Sequence, residues 1–223
     1  MSSSPVDLDP RSRLVNAAID LLAVSGPESL QARKVAAGIG ASTMAVYTHF
    51  GDMAALIDAV AREGFTRLSV SLAEVPRTDD PVADLFRLGL AYRHTALGNP
   101  NLYALTFGLS APGGRRASSA DMTGGDTSTE LPEGHTAFTH LVVCTERAMA
   151  AGRFRPGDPT LAAAQLWSAL HGYLTLEIAG FYGGDDEHGV VQVLLPMAVS
   201  LAIGMGDTPS AAQHSAVDAA DSL

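Results

Sequence analysis

The sequence predicts an all-α fold. Between glycine and proline breaks, apolar residues recur every three to four positions, which is the periodicity of amphipathic helices. No alternating strand pattern and no internal repeat is found along the chain. Two long uncharged segments near the end, residues 159–176 and 189–206, indicate helices that are buried on most of their sides.

The composition limits the class of protein. The 223 residues allow one large domain or two small ones, and 47% of them are hydrophobic while only 17% are charged, which favours buried subunit contacts. The single cysteine, Cys144, excludes a disulfide framework and a cysteine-rich zinc site, and it fits a reducing cytoplasm. Residues 1–10 are polar and acidic, so we expect a disordered tail, no secretory signal and a cytoplasmic protein.

The chain opens with two predicted helices. Residues 11–25 carry apolar side chains on one face, and Gly26 and Pro27 end that helix. Ser29 is a candidate N-cap for a short second helix over residues 31–38.

Two further helices complete the N-terminal part. Residues 38–41 form a glycine-rich turn, after which Ser42 or Thr43 caps a third helix that runs through residue 49. A longer fourth helix follows over residues 52–72. We therefore expect a first domain over residues 11–72.

The first three helices match the spacing of a helix-turn-helix. In the third helix, Val46 and Phe50 are four residues apart and are expected to face inward with Val35 and Ile39. Short polar groups and a tyrosine remain on the outward face, as reading of base edges and phosphates requires. That face comprises Thr43, Met44, Ala45, Tyr47 and Thr48. A plain three-helix subdomain with exposed threonines has the same periodicity.

The remaining chain predicts a second helical domain over residues 81–206. A proline-bounded break at residues 76–81 separates the two domains, and residues 111–134 form a long mobile loop rich in Gly, Ser, Thr and Pro. The polar tail, residues 207–223, is expected to be disordered. The predicted helices cover residues 82–97, 99–110, 135–151, 160–181 and 186–205.

Membrane insertion is disfavoured. The two uncharged segments, residues 159–176 and 189–206, reach only the lower limit of a membrane-spanning length. Their flanks are mostly acidic, and Gln165, His171 and Gln192 interrupt them. We expect a buried helix pair here rather than a transmembrane hairpin.

The charge is distributed unevenly. The net charge is −10, but residues 1–71 carry six Lys and Arg against seven Asp and Glu, a net charge of −1. Residues 72–223 carry eight against seventeen, a net charge of −9. Binding to DNA phosphates must therefore come from a few local cations in the N-terminal domain.

The stretch ARKVAAGIGASTMAVYTHFGDMAALIDAV, residues 32–60, resembles the DNA-binding signature of the tetracycline-repressor (TetR) family. The likeness covers about residues 11–68 and is carried by Val35 and Ala36, by Gly40, and by Tyr-x-His-Phe at residues 47–50. It implies that Arg33 approaches guanine in the major groove. Thr43 and Met44 would lie at the tip of the recognition helix, and Tyr47 and His49 would contact phosphates. The implied DNA-binding residues are Arg33, Ser42, Thr43, Met44, Tyr47, Thr48 and His49.

One position departs from that family. A lysine usually follows Tyr-x-His-Phe and touches the DNA backbone, but here the residues are Gly51, Asp52 and Met53. The helix N-terminus still offers amides to a phosphate, although Asp52 competes for them as an N-cap. The departure implies a weaker and strongly salt-sensitive grip.

The C-terminal domain carries a second likeness. Residues 167–172 resemble the Trp-x-x-x-His-Gly motif of one branch of TetR-type ligand domains, in which the last two long helices form a four-helix dimer interface. The final helix is apolar around almost its whole circumference, which independently favours burial against a partner, and Pro196 is expected to kink it. The expected interface residues are Trp167, Leu170, Leu174, Val191, Leu194, Leu195, Ala198 and Leu201.

A ligand pocket is expected among the middle helices. Its candidate lining is mostly apolar with a few hydrogen-bonding tips, which predicts a small apolar or aromatic effector, although ordinary core packing explains each residue alone. Ala169 is a further candidate for the lining. No cofactor and no metal site is predicted. The lining candidates are Tyr92, His94, Tyr103, Phe107, Cys144, Trp167, His171 and Thr175.

No catalytic constellation is evident. His135 and His140 form no HExxH pattern, Cys144 has no base partner in the sequence, and the glycine pair at residues 38–40 lacks a third glycine and a preceding strand. The sequence predicts a homodimeric repressor that binds a palindromic operator in double-stranded DNA and is released by its effector. The alternatives are a small helical enzyme or binding protein for an apolar molecule, and an interaction module without DNA affinity.

Overall fold

The computed structural model describes residues 9–123, 131–182 and 187–221, and it is helical without a strand in these ranges, which confirms the all-α prediction. Two 3-10 turns, Pro27–Ser29 and Pro112–Gly114, and a π-turn, Val190–Leu194, connect or extend the helices. The helices are α1 (Pro10–Ser25), α2 (Ala32–Gly38), α3 (Thr43–Phe50), α4 (Met53–Ala73), α5 (Pro81–Gly98), α6 (Pro100–Thr106), α7 (Pro132–Ala150), α8 (Pro159–Ile178), α9 (Leu195–Met205) and α10 (Pro209–Ala220).

The chain divides into two units whose bounds differ from the expected domains. The first unit consists of Met1–Phe65 and Asn99–Ser119, and the second of Thr66–Gly98 and Ala120–Leu223. Helix α4 therefore contributes residues to both units. Helix α6, expected in the C-terminal domain, belongs to the first unit.

The core of the first unit explains why α6 belongs there. Its centre is formed by α1 to α4, with Leu14 and Val46 fully buried. Leu102 and Leu105 of α6 join the same cluster. The side-chain amide of Asn101 donates to the carbonyl of Leu22 in the last turn of α1 at 3.0 Å, beside the amide hydrogen that the same carbonyl accepts from Gly26. Contacts with residues far away in the chain therefore place α6 in the first unit, although its position along the chain suggests the second.

Several predicted boundaries are corrected by local hydrogen bonds. Ser29 does not cap α2, because its hydroxyl donates to the carbonyl of Gly26 within the 3-10 turn and Gln31 occupies the N-cap. Helix α6 ends at Thr106 rather than at residue 110. Helix α1 starts at Pro10, inside the expected tail, because Asp9 accepts amide hydrogens of its first turn.

The predicted loop over residues 111–134 is only partly described, since residues 124–130 lie outside the described ranges. The amide of Ser118 donates to the carboxylate of Asp58 at 2.8 Å, and Ala117 packs against the first core. Leu131 is buried, and α7 starts directly after it at Pro132, three residues before its predicted start. Both described ends of the loop are thus anchored.

The regular helix pattern is loosened just before Pro196, where the sequence predicts a kink or a loosened turn. Residues Val190–Leu194 form a π-turn, in which the amide of Leu195 donates to the carbonyl of Val190, five residues back. Pro196, which follows, has no amide hydrogen to continue the regular pattern. Residues 183–186, part of the helix predicted over 186–205 and of the turn before it, are not among those described.

The tail predicted to be disordered is a helix instead. Thr208 caps α10 by accepting the amide hydrogen of Ala211, and Pro209 occupies its first position. The buried face of α10 packs on α5 and α9. That face consists of Ala212, Ser215, Ala216 and Ala219. Small alanines allow close packing with little apolar signal in the sequence, which is why hydropathy missed this helix.

One arginine fastens α10 to the second unit. The Arg153 guanidinium donates to both carboxylate oxygens of Asp207 at 2.7 Å and to Asp80 at 2.9 Å. It also donates to the hydroxyl of Ser215, which in turn donates to Asp80 at 2.6 Å. The side chain of Asp207 is only 1% exposed, so its charge is compensated here rather than by water.

A second buried ion pair joins α5 to α8. Arg93 binds Glu177 through both carboxylate oxygens, and each side chain is 11% exposed. The hydroxyl of Tyr173 donates to the same carboxylate at 2.9 Å.

Among the described helices, none combines the length and the hydropathy that crossing a bilayer requires.

Candidate nucleic-acid interface and effector cavity

The recognition helix α3 is held by its apolar side. Val46 is fully buried against Val35, and Ile39 and Phe50 pack partly buried around them, as the spacing predicts. The turn before α3 depends on Gly40, whose φ of +68° lies in the left-handed region that favours glycine. The amide of Ala41 then donates back to the carbonyl of Ala36 at 2.9 Å, which closes α2.

The side chains expected to contact DNA are available to do so. Met44 is 66% exposed and Tyr47 is 43% exposed, although both lie on a helix whose other face is buried. Thr43, at the first position of α3, is half-buried. The other expected contacts, all exposed, are Arg33, Ser42, Thr48 and His49. Exposed aromatic and thioether groups next to a packed face are typical of a binding surface.

Two cations that the sequence reasoning missed lie beside α3. The Arg11 guanidinium stacks over the ring of Phe50, 4.9 Å from its centroid, and Arg13 reaches the carbonyl of Ile39 at 3.4 Å. Both arginines are in the first turn of α1, whose periodicity indicates only a buried face. Asp52 caps α4 as expected, since it accepts the amide hydrogen of Ala55 at 2.8 Å. Arg11 therefore supplies a positive charge near the position where the usual lysine is missing.

The second unit contains an apolar cavity of about 60 Å³, several times the roughly 10–15 Å³ that one water needs. Its lining is provided by α5, α7, α8 and the α9 region, and every lining side chain is apolar. Phe86, Phe154, Ala169 and Met197 are among them. None of the eight predicted ligand-binding residues lines this cavity, but Ala169 does.

Three of the eight candidates meet in a hydrogen-bonded cluster. The hydroxyl of Tyr92 lies 2.7 Å from Nε2 of His171 and accepts from the indole N–H of Trp167 at 3.3 Å. Burial lowers the pKa of His171 to about 4, so its ring is neutral at pH 7. The neutral ring accepts at Nε2 while the Tyr92 hydroxyl donates. Tyr92 is 2% exposed, so the cluster orders the interior between α5 and α8.

The other five candidates lie elsewhere. Tyr103 and Phe107 pack in the first unit, where Phe107 meets Phe65 edge-on at 5.0 Å. His94 is exposed, and the exposed Thr175 donates to the carbonyl of His171. Tyr103 and Phe107 thus belong to the first unit, while none of the eight lines the apolar cavity of the second.

Cys144 is a buried, inert thiol. It donates to the carbonyl of Pro81 at 3.3 Å, and burial, helped by the charge of Asp84, raises its pKa to about 12. A thiol with such a pKa is almost wholly protonated at pH 7 and is a poor nucleophile. The arrangement therefore gives no support to a cysteine-dependent enzyme.

Comparison with protein families decides the class. Residues 14–60 match the model of bacterial regulatory proteins of the tetR family, and residues 85–195 match the tetracyclin repressor-like C-terminal domain. The chain belongs to the TetR family. TetR proteins are transcription regulators with a helix-turn-helix and a ligand-binding domain, and they are generally not enzymes.

Solved structures show the same fold along nearly the whole chain. A protein of unknown function from Rhodococcus sp. RHA1 is 26% identical with a TM-score of 0.69, over 92% of this chain and all of that one. RolR without ligand is 17% identical (TM-score 0.65; 92% of this chain and 96% of RolR), and RolR in complex with resorcinol is 18% identical (TM-score 0.61; 93% and 92%). No protein in a collection of curated sequences matches the chain.

The residues expected at a TetR-type dimer interface divide into two groups. Leu170, Leu174 and Leu194 are at most 7% exposed within one chain, so they form its own core and cannot meet a partner. Trp167 belongs to the hydrogen-bonded cluster described above. Val191 is 49% exposed, and Leu195, Ala198 and Leu201 are half-buried.

The outward sides of α8 and α9 carry a different set of residues. On α8, small exposed residues are flanked by Leu161 and Leu176, which are 50% and 42% exposed. We call the small exposed residues of both helices the small-residue face. It consists of Ser168 and Gly172 on α8 and of Pro196, Ser200 and Gly204 on α9. Periodicity missed this face because apolar residues surround both helices.

Proposed function

We propose that this TetR-family protein is a cytoplasmic homodimeric repressor that binds a palindromic operator and is released by a small aromatic or apolar effector. The observation that carries the proposal is α3, whose apolar side is fixed in a core while Met44, Tyr47 and His49 project into solvent. Exposed side chains on a rigid helix are what base reading requires. Arg33 supplies the guanidinium for a guanine edge, and Arg11 supplies a phosphate contact.

A palindromic operator follows from a symmetric dimer, since each protomer reads one half-site. The small-residue face supports such a dimer. Gly172 and Gly204 leave room for a second pair of helices to approach closely, and Leu161 and Leu176 provide apolar area at its edge. Exposed leucines on a helix whose opposite face is buried favour a partner over water.

The effector class is supported by two observations. The apolar cavity offers no charged or hydrogen-bonding side chain, so it favours an uncharged, ring-sized molecule. RolR, a structural relative, has been solved with resorcinol, a small aromatic compound. We place the effector of this chain in the apolar cavity, beside Ala169.

Arg33→Ala is expected to weaken operator binding by roughly 1–3 kcal/mol and to relax base preference at one position in each half-site. The exposed guanidinium makes no contact that the fold depends on, so stability remains unchanged. Tyr47→Phe is expected to weaken binding with little change in preference, because a phosphate contact carries no sequence information. The measurement is binding to fragments of the protein's own promoter region, followed by selection of preferred sites.

Arg155→Ala removes a cation from the second unit and serves as the control for charge. It is expected to keep both the affinity and the base preference. Unchanged affinity and preference in Arg33→Ala would remove Arg33 from the interface. A wild-type protein without any affinity for duplex DNA at low salt would overturn the proposed function itself.

Ala169→Trp is expected to block effector response while DNA binding persists, because the indole fills the apolar cavity. Compounds that lower the DNA affinity of the wild type 5–150-fold, the usual range of such coupling, should leave the variant bound. Resorcinol and a set of neutral one-ring compounds are suitable probes. Ala169→Val, which fills less of the cavity, should give an intermediate response. Full release of the tryptophan variant by the same compounds would place the effector elsewhere.

A further inference from the structure

The second unit has another concavity, of about 230 Å³, whose chemistry differs from that of the apolar cavity. Leu72, Val75 and Val143 form apolar walls, while the charged and polar side chains at its edge come from Arg77 and from α5 and α7. We call it the α4–α7 groove. The α5 and α7 side chains are Asp84, His140, Cys144 and Arg147.

The carboxylate in the α4–α7 groove is already fully engaged. Asp84, whose side chain is 3% exposed, accepts from the amide and hydroxyl of Thr78 at 3.0 and 2.7 Å. It also accepts from Arg147 at 2.8 Å and from Arg87 at 3.3 Å. Four donors saturate the lone pairs of one carboxylate. Asp84 is thus paired, and the charges of Arg147 and Arg77 oppose what remains of its field in the groove.

Arg77 is differently placed. It is exposed at the edge of the groove, and within the described ranges it makes no hydrogen bond or ion pair. Its charge reaches Cys144, where it acts against the larger burial effect on the pKa of that thiol. In a chain of net charge −10, Arg87 and Arg147 pair with the buried Asp84, and Arg77, unpaired among the described residues, lies at the edge of the groove. The groove is therefore a positively charged exception.

We propose that the α4–α7 groove binds a small organic acid, with its carboxylate on Arg77 and its apolar body between Leu72, Val75 and Val143. A guanidinium forks onto a carboxylate through two parallel hydrogen bonds. The apolar walls favour an acid with a hydrocarbon or aromatic body over an inorganic anion. The groove shares only Leu88 with the lining of the apolar cavity, so the acid would be a second ligand beside the neutral effector.

The bound acid would touch helix α4, which continues along the chain into the first unit. Leu72 lies in its last turn, and Ser69, one turn earlier, bonds His140 of α7 at 3.1 Å. A ligand between α4 and α7 changes the packing at that contact. As a regulatory site the groove rests on the proposed function, whereas the binding of the acid does not.

Val143 lines the groove and is 43% exposed, so it is a suitable position for a reporter thiol. In the Val143→Cys background, the rate at which a small neutral methanethiosulfonate modifies the new thiol reports on occupancy of the groove, because the buried Cys144 reacts far more slowly. The probes are benzoate, phenylacetate and hexanoate, each paired with its neutral amide, and inorganic phosphate. At ten times the Kd of a carboxylate, modification should slow about tenfold. The amides and phosphate should not protect.

Arg77→Gln is expected to weaken protection by the acids about tenfold, because a charge-assisted pair is lost. Arg116→Gln, an exposed arginine of the first unit, is the matched control and should keep it. Thermal melting verifies that both variants fold. Trp167 fluorescence, which reports on the Tyr92 and His171 cluster, should not change with the acids.

Four results would overturn the proposal: no protection by any acid, equal protection by the amides, equal protection by phosphate, or full protection in Arg77→Gln. None of these depends on DNA. If the acids fail while the wild type binds its promoter, only the groove proposal falls. If the acids protect the thiol at position 143 but no DNA is bound, the proposed function falls and the ligand site stands.

Discussion

Gly172→Arg is expected to produce monomers and to lower affinity for a two-half-site operator by at least about a hundredfold, since burying an unpaired charge in an interface costs roughly 3–5 kcal/mol. Gly172 lies at the centre of the outward side of α8, and a Cβ built there meets no atom within 4 Å. The protomer therefore accommodates the arginine, and the effect falls on the partner alone. An arginine is also a better helix former than glycine, so the fold should be retained.

Sedimentation and light scattering give the oligomeric state, and gel shift on an identified operator gives the affinity. Gly98→Arg is the matched control, because Gly98 is also an exposed helical glycine with open space around its Cβ. It lies on α5, away from the small-residue face. An intact dimer in Gly172→Arg would move the interface to another surface. Leu194→Arg would not be informative, because Leu194 is 5% exposed within its own chain and the substitution would disturb the fold itself.

Arg153→Ala is expected to lower the free energy of unfolding of the second unit by roughly 3–5 kcal/mol, the usual cost of removing one partner of a buried ion pair. Asp207 would keep its charge with a side chain only 1% exposed. The hydroxyl of Ser215 on α10 would lose the hydrogen bond that it accepts from Arg153. The melting temperature should fall by roughly 6–20 °C for a chain of this size. Limited proteolysis should then cut first around α10.

The pH dependence of this loss has a definite sign. Burial raises the pKa of Asp80, but hydrogen bonds from Ser215 and from the amides of Ala83 and Val82, with the charge of Arg153, outweigh it and hold the pKa below its usual value. A carboxylate with a lowered folded pKa stabilises the protein above its unfolded pKa of about 3.9, and that stability is lost as the pH falls through the folded value. The difference between wild type and Arg153→Ala should therefore be constant near neutrality and shrink below about pH 4.

Urea midpoints at pH 7 and at low pH measure that difference. Arg155→Ala is the control, because the guanidinium of Arg155 is exposed and donates only to the carbonyl of Gly204. It should change the midpoint little. Equal midpoints of wild type and Arg153→Ala at pH 7 would show that α10 does not depend on this ion network.

Local signals were sufficient for the DNA-reading part of the molecule. The spacing of Val35, Ile39, Val46 and Phe50 predicts which side of α3 is buried, and the glycine at residue 40 marks the turn before it. These residues are only a few positions apart, and residues three or four positions apart lie on the same side of a helix. Their spacing therefore predicts the buried side directly. Asp52 as the N-cap of α4 is another example, confirmed by its bond to the amide of Ala55.

The effector site and the partner-facing surface could not be derived in this way. Helices α8 and α9 are apolar on all sides, so periodicity does not distinguish Leu174, which is fully buried, from Leu176, which is 42% exposed. Tyr92 meets both Trp167 and His171, which lie 75 and 79 residues later in the chain. Tyr103, an equally plausible candidate in the sequence, packs in the other unit. Which of several equivalent aromatic residues meet is set by the packing of whole helices.

The sequence by itself determined that the protein is all-helical, that it carries a helix-turn-helix, and which side of α3 faces outward. Only the tertiary structure decided that α6 joins the first unit, that residues 209–220 fold, and which residues line the cavity. Helix α10 shows the physical reason. Its alanines carry little hydrophobic signal, and its fixing charge comes from Arg153, more than fifty residues earlier in the chain. Periodicity predicts which side of its own helix a residue occupies. Contacts between helices that are distant in the chain depend on how all the helices pack together.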